Sequence, residues 1–196
     1  MALGTYEREN PLVLAIPRGG VEVACHVARR LQAQLAILVV RKLPLPRNPE
    51  AGFGAVAEDG SIVILEHMAA ALAPEIVEKI IETQKQEVRR RIDVLREGKP
   101  LPSLAGRTVI LVDDGIAMGS TIRAAIAMCR NEGAERVVVA VPVAAPSTAD
   151  KLSKLADDVV IVEKPLLFRA VAQVYEHWRD ISDEEVAGMM RKMQTP

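Results

Sequence analysis

The 196-residue chain predicts a doubly wound α/β fold built on a mostly parallel sheet. Three observations carry that prediction. Short β-branched apolar runs recur at 12–16, 35–40, 109–112, 136–142 and 159–162, the composition of strands buried on both faces of a parallel sheet. Between several of them lie stretches with apolar residues at helical spacing. Turns containing glycine stand where strands hand over to helices, which is where ligands of such sheets bind.

Residues 1–11 are polar and carry no pattern, ending at Pro11. The run at 12–16 is stopped by Pro17, and Pro17-Arg18-Gly19-Gly20 opens an amphipathic helix whose stripe is Val21, Ala24, Cys25, Ala28 and Leu31. Arg18, Gly19 and Gly20 therefore combine a guanidinium with consecutive amides at a helix start, chemistry that suits a diphosphate. The strand at 35–40 is closed by Arg41 and Lys42. These two are read either as solvated strand-end charges or as cations facing the same diphosphate.

Three prolines within 43–50 argue for an irregular loop there. Residues 51–57 and 61–65, separated by Glu58-Asp59-Gly60, read as a hairpin. Pro74 begins a long helix ending near Glu97, with Ile76, Val77, Ile80, Ile81, Val88, Ile92 and Leu95 on its apolar face. Glu87 and Arg91, one turn apart, are read as solvated charge.

The most informative stretch is 109–121, VILVDDGIAMGST. A buried-strand run ends in Asp113 and Asp114. Gly115, Ile116, Ala117, Met118 and Gly119 then make a small-residue turn, and Ser120 and Thr121 stand where a helix to Asn131 begins. Amides and dipole at a helix start favour an anion, while carboxylates accept hydrogen bonds from sugar hydroxyls. A plain Asp-Gly turn would need neither the second acid nor the Gly-Ser-Thr sequence. A nucleoside-triphosphate P-loop would need a lysine that is missing.

Beyond it, 147–155 reads as a short helix before the last strand. Phe168, Tyr175 and Trp178 are three of only five aromatics. They form either a hood that stacks on a flat ring or a staple holding the final helix to the core. Ser182-Asp183-Glu184-Glu185 reads as the N-cap of that helix, which runs to about Lys192.

Composition sets the bounds. Residues 1–196 are expected to form a single domain, and 49% apolar residues are too many for a disordered chain. A formal charge of −1 offers no global attraction to nucleic acid or anionic membrane, so an anion site must be local. No apolar span approaches ~20 residues and the start lacks a signal-peptide pattern, so a cytoplasmic location is expected. Cys25 and Cys129 fall on helix stripes and are expected to be buried thiols. His26, His67 and His177 are scattered and form no zinc pattern.

The strand, acid pair and Gly-Ser-Thr turn resemble the 5-phosphoribosyl-1-pyrophosphate (PRPP) signature of the type I phosphoribosyltransferases. Segments Pro-Arg-Gly-Gly, Val-Val-Arg-Lys, Gly-Ala-Val-Ala-Glu and Ser-Asp-Glu-Glu-Val resemble a bacterial subfamily. The resemblance implies that family's fold, with a small hood and a mobile flap at the 51–65 hairpin. It implies that Asp113 and Asp114 hold the ribose hydroxyls and that Ala117, Met118, Gly119, Ser120 and Thr121 wrap the 5′-phosphate. Arg18, Gly19 and Gly20 would bind the pyrophosphate, through a loop often of unusual peptide conformation, with Arg41 and Lys42 nearby.

The activity expected from this resemblance is transfer of ribose 5-phosphate from PRPP to a nitrogenous acceptor, releasing pyrophosphate. Mg²⁺ would be the cofactor, held through PRPP and water near Asp113 and Asp114 with no direct protein ligand. The alternative is a non-catalytic protein that senses PRPP or a nucleotide. Three departures from the pattern stand out. Met118 replaces a hydroxyl-bearing or small residue, Ala117 excludes a general base from this loop, and only about ten residues precede the first strand. The acceptor pocket is then either incomplete or completed by a partner, for which a homodimer is one form.

Overall fold

The structure, a computed structural model, describes residues 3–168 and 170–194. In chain order the elements are β1 (Leu12–Ala15), α1 (Gly19–Leu31), β2 (Gln34–Ile37), β3 (Val40–Leu45), β4 (Asn48–Ala57), β5 (Ile62–Ile64), α2 (Glu66–Ala69), α3 (Pro74–Arg96), β6 (Thr108–Val112), α4 (Ser120–Asn131), β7 (Arg136–Val143), α5 (Pro146–Leu152), β8 (Asp158–Glu163) and α6 (Asp183–Gln194). Five strands form a parallel sheet in the order β2-β1-β6-β7-β8, and β3, β4 and β5 form a separate antiparallel sheet. The doubly wound reading is thus correct for the main sheet.

Alternation along each parallel strand explains the two-sided core. Leu12, Leu14, Val109, Leu111, Val137 and Val139 face α4, packing with Ile122, Ala125, Ile126 and Cys129. Val13, Ala15, Ile110, Val112 and Val138 face the opposite way, with α1, α3 and α6 residues such as Ala24, Val88 and Val186. Strands apolar on both faces can only sit between helices, which is why these runs lack a polar alternation. Both cysteines are free and buried, and burial pushes the Cys129 thiol up to about 12.

Several segments differ from the sequence reading. The run at 35–40 is two strands: Ile37 ends β2, fully buried Leu38 and Val39 cross over, and Val40 begins β3 in the other sheet. A continuous apolar run does not mark where a chain changes sheets. The proline-rich 43–50 segment is not one loop: it holds the end of β3, a two-residue turn at 46–47 and the start of β4. Its prolines are accommodated by register shifts around Pro44 and by position near the hairpin end, where missing donors cost least.

The expected 51–65 hairpin forms as β4 and β5. Phe53, Ala55 and Val56 are fully buried, while Pro46 and Arg47, in the turn that joins β3 to β4, are exposed. Glu58 in its turn accepts the Val39 amide at 2.8 Å and is ion-paired with Arg96 at 2.7 Å, which ties the hairpin base to α3.

The N-terminal segment is informative in three dimensions. Gly4–Glu9 forms a 3₁₀ helix that buries Tyr6, whose hydroxyl donates to Asp158 while Arg136 stacks over its ring. Glu9 accepts from Thr108 and Arg136, both at 2.8 Å. One aromatic amid charges has no helical or strand period, so the sequence pattern is silent there. On α3, Ile76 is exposed while Arg91 is largely buried, reversing their expected places.

Candidate functional site

The strand order reverses at β1, which pairs with β2 on one side and β6 on the other. Such a switch point opens a crevice at the carboxyl ends of the two strands. Register places Ala15 opposite Val112, and the Ile16 amide continues the ladder to the Val112 carbonyl at 2.9 Å. The loop after β1 and the acids after β6 are therefore brought side by side from opposite halves of the sequence.

They touch. A Cβ built on Gly19 would lie 1.8 Å from Asp114 Oδ2, and one on Gly20 would lie 2.8 Å from Asp113 Cα and 2.9 Å from the Val112 carbonyl oxygen. Only a backbone without side chains fits here. The peptide bond between Pro17 and Arg18 is cis.

Asp113 accepts the Asp114 amide at 2.9 Å. Burial, and then the neighbouring Asp114, push the Asp113 carboxyl well above the usual carboxylate range; burial raises Asp114 as well.

The following turn is anchored from β7. The Ile116 amide donates to the Val143 carbonyl at 2.9 Å, and the Ala145 amide donates to the Ile116 carbonyl at 3.1 Å. Ile116 is consequently buried, and its side chain belongs to the core. Gly119 adopts φ +78°, a left-handed conformation that opens α4, and Ser120 and Thr121 form its first turn. The amides from Ala117 to Thr121 find no acceptor among the described residues and remain available to an anion. Met118 is 48% exposed and stands among the residues at the mouth of the turn.

A cleft of about 200 Å³ runs over this turn, lined by Asp113, Gly115 and residues 116–122 together with Lys42, Gly52 and Val171. Lys42 and Arg41 alternate across β3. Lys42 lines the cleft, whereas Arg41 turns toward α3, where its Nε donates to Gln84 at 3.3 Å. Burial, with Arg91 next in effect, holds Arg41 below the usual guanidinium range. Arg18, Gly19, Gly20 and Asp114 are not among the residues that line this cleft; the first loop meets it through Gly20, which packs on Asp113, while Arg18 stands 3.9 Å from Asp183 on α6.

Three contributors escaped the sequence reading. Gly52 has no room for a side chain, since its Cβ would meet Lys42 Cγ at 2.5 Å, and a glycine inside a strand was the available signal. Val171 crowds Gly115 from the tail, and no local pattern announces it. Thr148, buried on α5, donates its hydroxyl to the Ala117 carbonyl at 2.7 Å and so fixes the turn. Thr148→Val should lower the unfolding free energy by about 1–2 kcal/mol, because that carbonyl loses its donor. Hydrogen exchange at the 117–121 amides should accelerate in the same variant.

The tail supplies the other wall. The Tyr175 hydroxyl donates to the Asp114 carbonyl at 2.7 Å, and burial raises it to about 12. Its ring meets Trp178 edge-on, with centroids 5.4 Å apart, and Trp178 remains 44% exposed.

The family described as the phosphoribosyl transferase domain matches residues 2–176. The chain belongs to the phosphoribosyl transferase family. Two Mycobacterium tuberculosis proteins, from strains H37Rv and CDC 1551 and each named "Putative phosphoribosyl transferase", are 42% identical over 185 residues and cover 91% of this chain. The chain spans about two-fifths of their length, 41%. The crystal structure of TT1426 from Thermus thermophilus matches at TM-score 0.80 and 38% identity, covering 98% of this chain and 92% of that one. Family membership agrees with the mostly parallel α/β architecture.

Proposed function

We propose that the crevice binds PRPP and transfers its ribose 5-phosphate to a nitrogenous acceptor, releasing pyrophosphate. The observation that carries this reading is the contact between Gly19 and the Asp114 carboxylate, because it joins a diphosphate-type loop to a ribose-type acid pair. In this arrangement the amides of Ala117, Met118, Gly119, Ser120 and Thr121 take the 5′-phosphate. Asp113 and Asp114 accept hydrogen bonds from the ribose hydroxyls. The Gly19 and Gly20 amides, Arg18 and Lys42 take the diphosphate.

As pyrophosphate departs, positive charge develops on the ribose. The acid pair stabilises that charge, while Arg18 and Lys42 stabilise the leaving group. No group of three acids, histidines or cysteines able to hold a metal occurs among the described residues. The two acids with an oxygen-rich ligand nevertheless suit Mg²⁺ brought in on PRPP, where it would offset diphosphate charge. The acceptor approaches past Val171, with Tyr175 and Trp178 offering aromatic surface. No described helix is long and apolar enough to cross a membrane, and a cytoplasmic setting is part of this proposal.

The test is incubation with PRPP, Mg²⁺ and a panel of purine and pyrimidine bases, read as pyrophosphate release. Release that depends on one base supports transfer. Tight PRPP binding with no release across the panel would reject transfer in favour of a sensing role.

A further inference from the structure

The Ser-Asp-Glu-Glu segment at the start of α6 does more than cap a helix. Ser182 and Glu185 complete the capping box between themselves: the Ser182 amide donates to Glu185 at 2.8 Å and the Glu185 amide donates to the Ser182 hydroxyl at 3.2 Å. Asp183, between them in sequence, takes no part in that exchange. Its Oδ1 is buried without a hydrogen-bond partner and lies 3.9 Å from Arg18 Nη1.

The surroundings explain why this acid matters. Glu87 on α3 is fully engaged, bound to Arg90 at 2.7 and 2.9 Å and to Arg91 at 3.0 Å. Arg41 is bound to Gln84, and the charge of Arg18 reaches it as a repulsion. Arg18 thus sits among other guanidiniums, and Asp183 is its ion-pair partner. At 3.9 Å the pair is held by charge and not locked by a hydrogen bond, so the guanidinium donors of Arg18 stay available to a ligand. Asp183 is carried on a helix whose Val186 is fully buried in the core shared with α1 and α3. The anchor is rigid and lies about 165 residues from the loop it serves.

We infer that Asp183 is a positioning residue, which holds the Arg18 guanidinium against the other arginines and in register for the diphosphate of PRPP. This inference rests on the donor site described above. It gives the C-terminal helix a part in substrate binding through Arg18, without contact of its own with the reacting atoms.

The experiment compares wild type, Asp183→Asn, Asp183→Glu, Arg18→Ala and the Asp183→Asn/Arg18→Ala double variant by PRPP titration with Mg²⁺, with ligand-free melting measured for each. Asp183→Asn should weaken PRPP binding about fivefold, the size expected for a partly exposed ion pair, while Asp183→Glu restores most of it. In the Arg18→Ala background the same change should have no further effect. Equal weakening in both backgrounds, or unaltered binding by Asp183→Asn in a protein that binds PRPP, would overturn the positioning role alone. Absence of PRPP binding by the wild type would overturn the donor-site reading and this inference together. Should Asp183→Asn melt early, the Glu variant and the double-variant comparison still decide.

Discussion

Gly19→Ala is expected to abolish PRPP binding. The new methyl group would start 1.8 Å from Asp114 Oδ2, so the carboxylate must swing away or the loop must lift from β6. Either movement separates the diphosphate amides from the ribose acid, and affinity should fall below detection in a titration. Overpacking of this kind costs about 1–3 kcal/mol of stability as well. Combining Gly19→Ala with Asp114→Ala removes the clash and should recover the melting temperature without recovering binding. Gly20→Ala should behave differently, because its methyl would meet the Asp113 Cα and the Val112 carbonyl, which cannot rotate away. Its main effect should be on folding, seen as the larger loss in thermal midpoint of the two.

Asp113→Asn should separate stability from function in the opposite sense. The substituted amide would keep an oxygen for the Asp114 backbone N–H while removing a buried charge beside another acid. In the wild type the folded state raises the Asp113 carboxyl above its unfolded value, so the fold prefers the protonated form. Ligand-free stability is then greatest below the ordinary carboxylate value of about 4 and is lost as pH rises through the elevated folded value. The wild-type melting temperature should decline as pH rises from the ordinary carboxylate value through the elevated folded value, whereas that of Asp113→Asn should be flatter and higher above that window, by about 2–4 °C for each kcal/mol gained.

Binding runs the other way. Ribose hydroxyls need the ionised pair as acceptor, so PRPP affinity should weaken as pH falls through the same window. The Asp113→Asn variant should bind at least about tenfold more weakly at pH 8, the loss expected for a charge-assisted hydrogen bond.

Much of this site was legible in the residues themselves. Asp113, Asp114 and the Gly-Ser-Thr opening of α4 announce themselves locally, since a strand end, a left-handed glycine and a helix start each have a chemical signature. The Arg18-Gly19-Gly20 loop does so for the same reason. What local chemistry does not carry is adjacency. That β1 lies beside β6, rather than beside β2 alone, is a property of sheet order, and the Gly19 to Asp114 contact follows from it.

The same limit explains the rest. Thr148 and Val171 act on the turn from distant segments, and Asp183 looks like a helix cap until its neighbour Arg18 is placed. Arg41 and Lys42 are adjacent in sequence, yet strand alternation divides them between two faces once β3 is recognised as a strand continuing to Leu45. The three prolines hid that continuation.

The most direct test of the central idea, that two touching loops form one receptacle, is a calorimetric competition with Mg²⁺ present throughout. Ribose 5-phosphate and inorganic pyrophosphate should each bind alone, should bind together, and should each be displaced by PRPP. If either half-ligand is retained at saturating PRPP, or if PRPP fails to bind while both halves do, the loops do not make a single site and the account is contradicted.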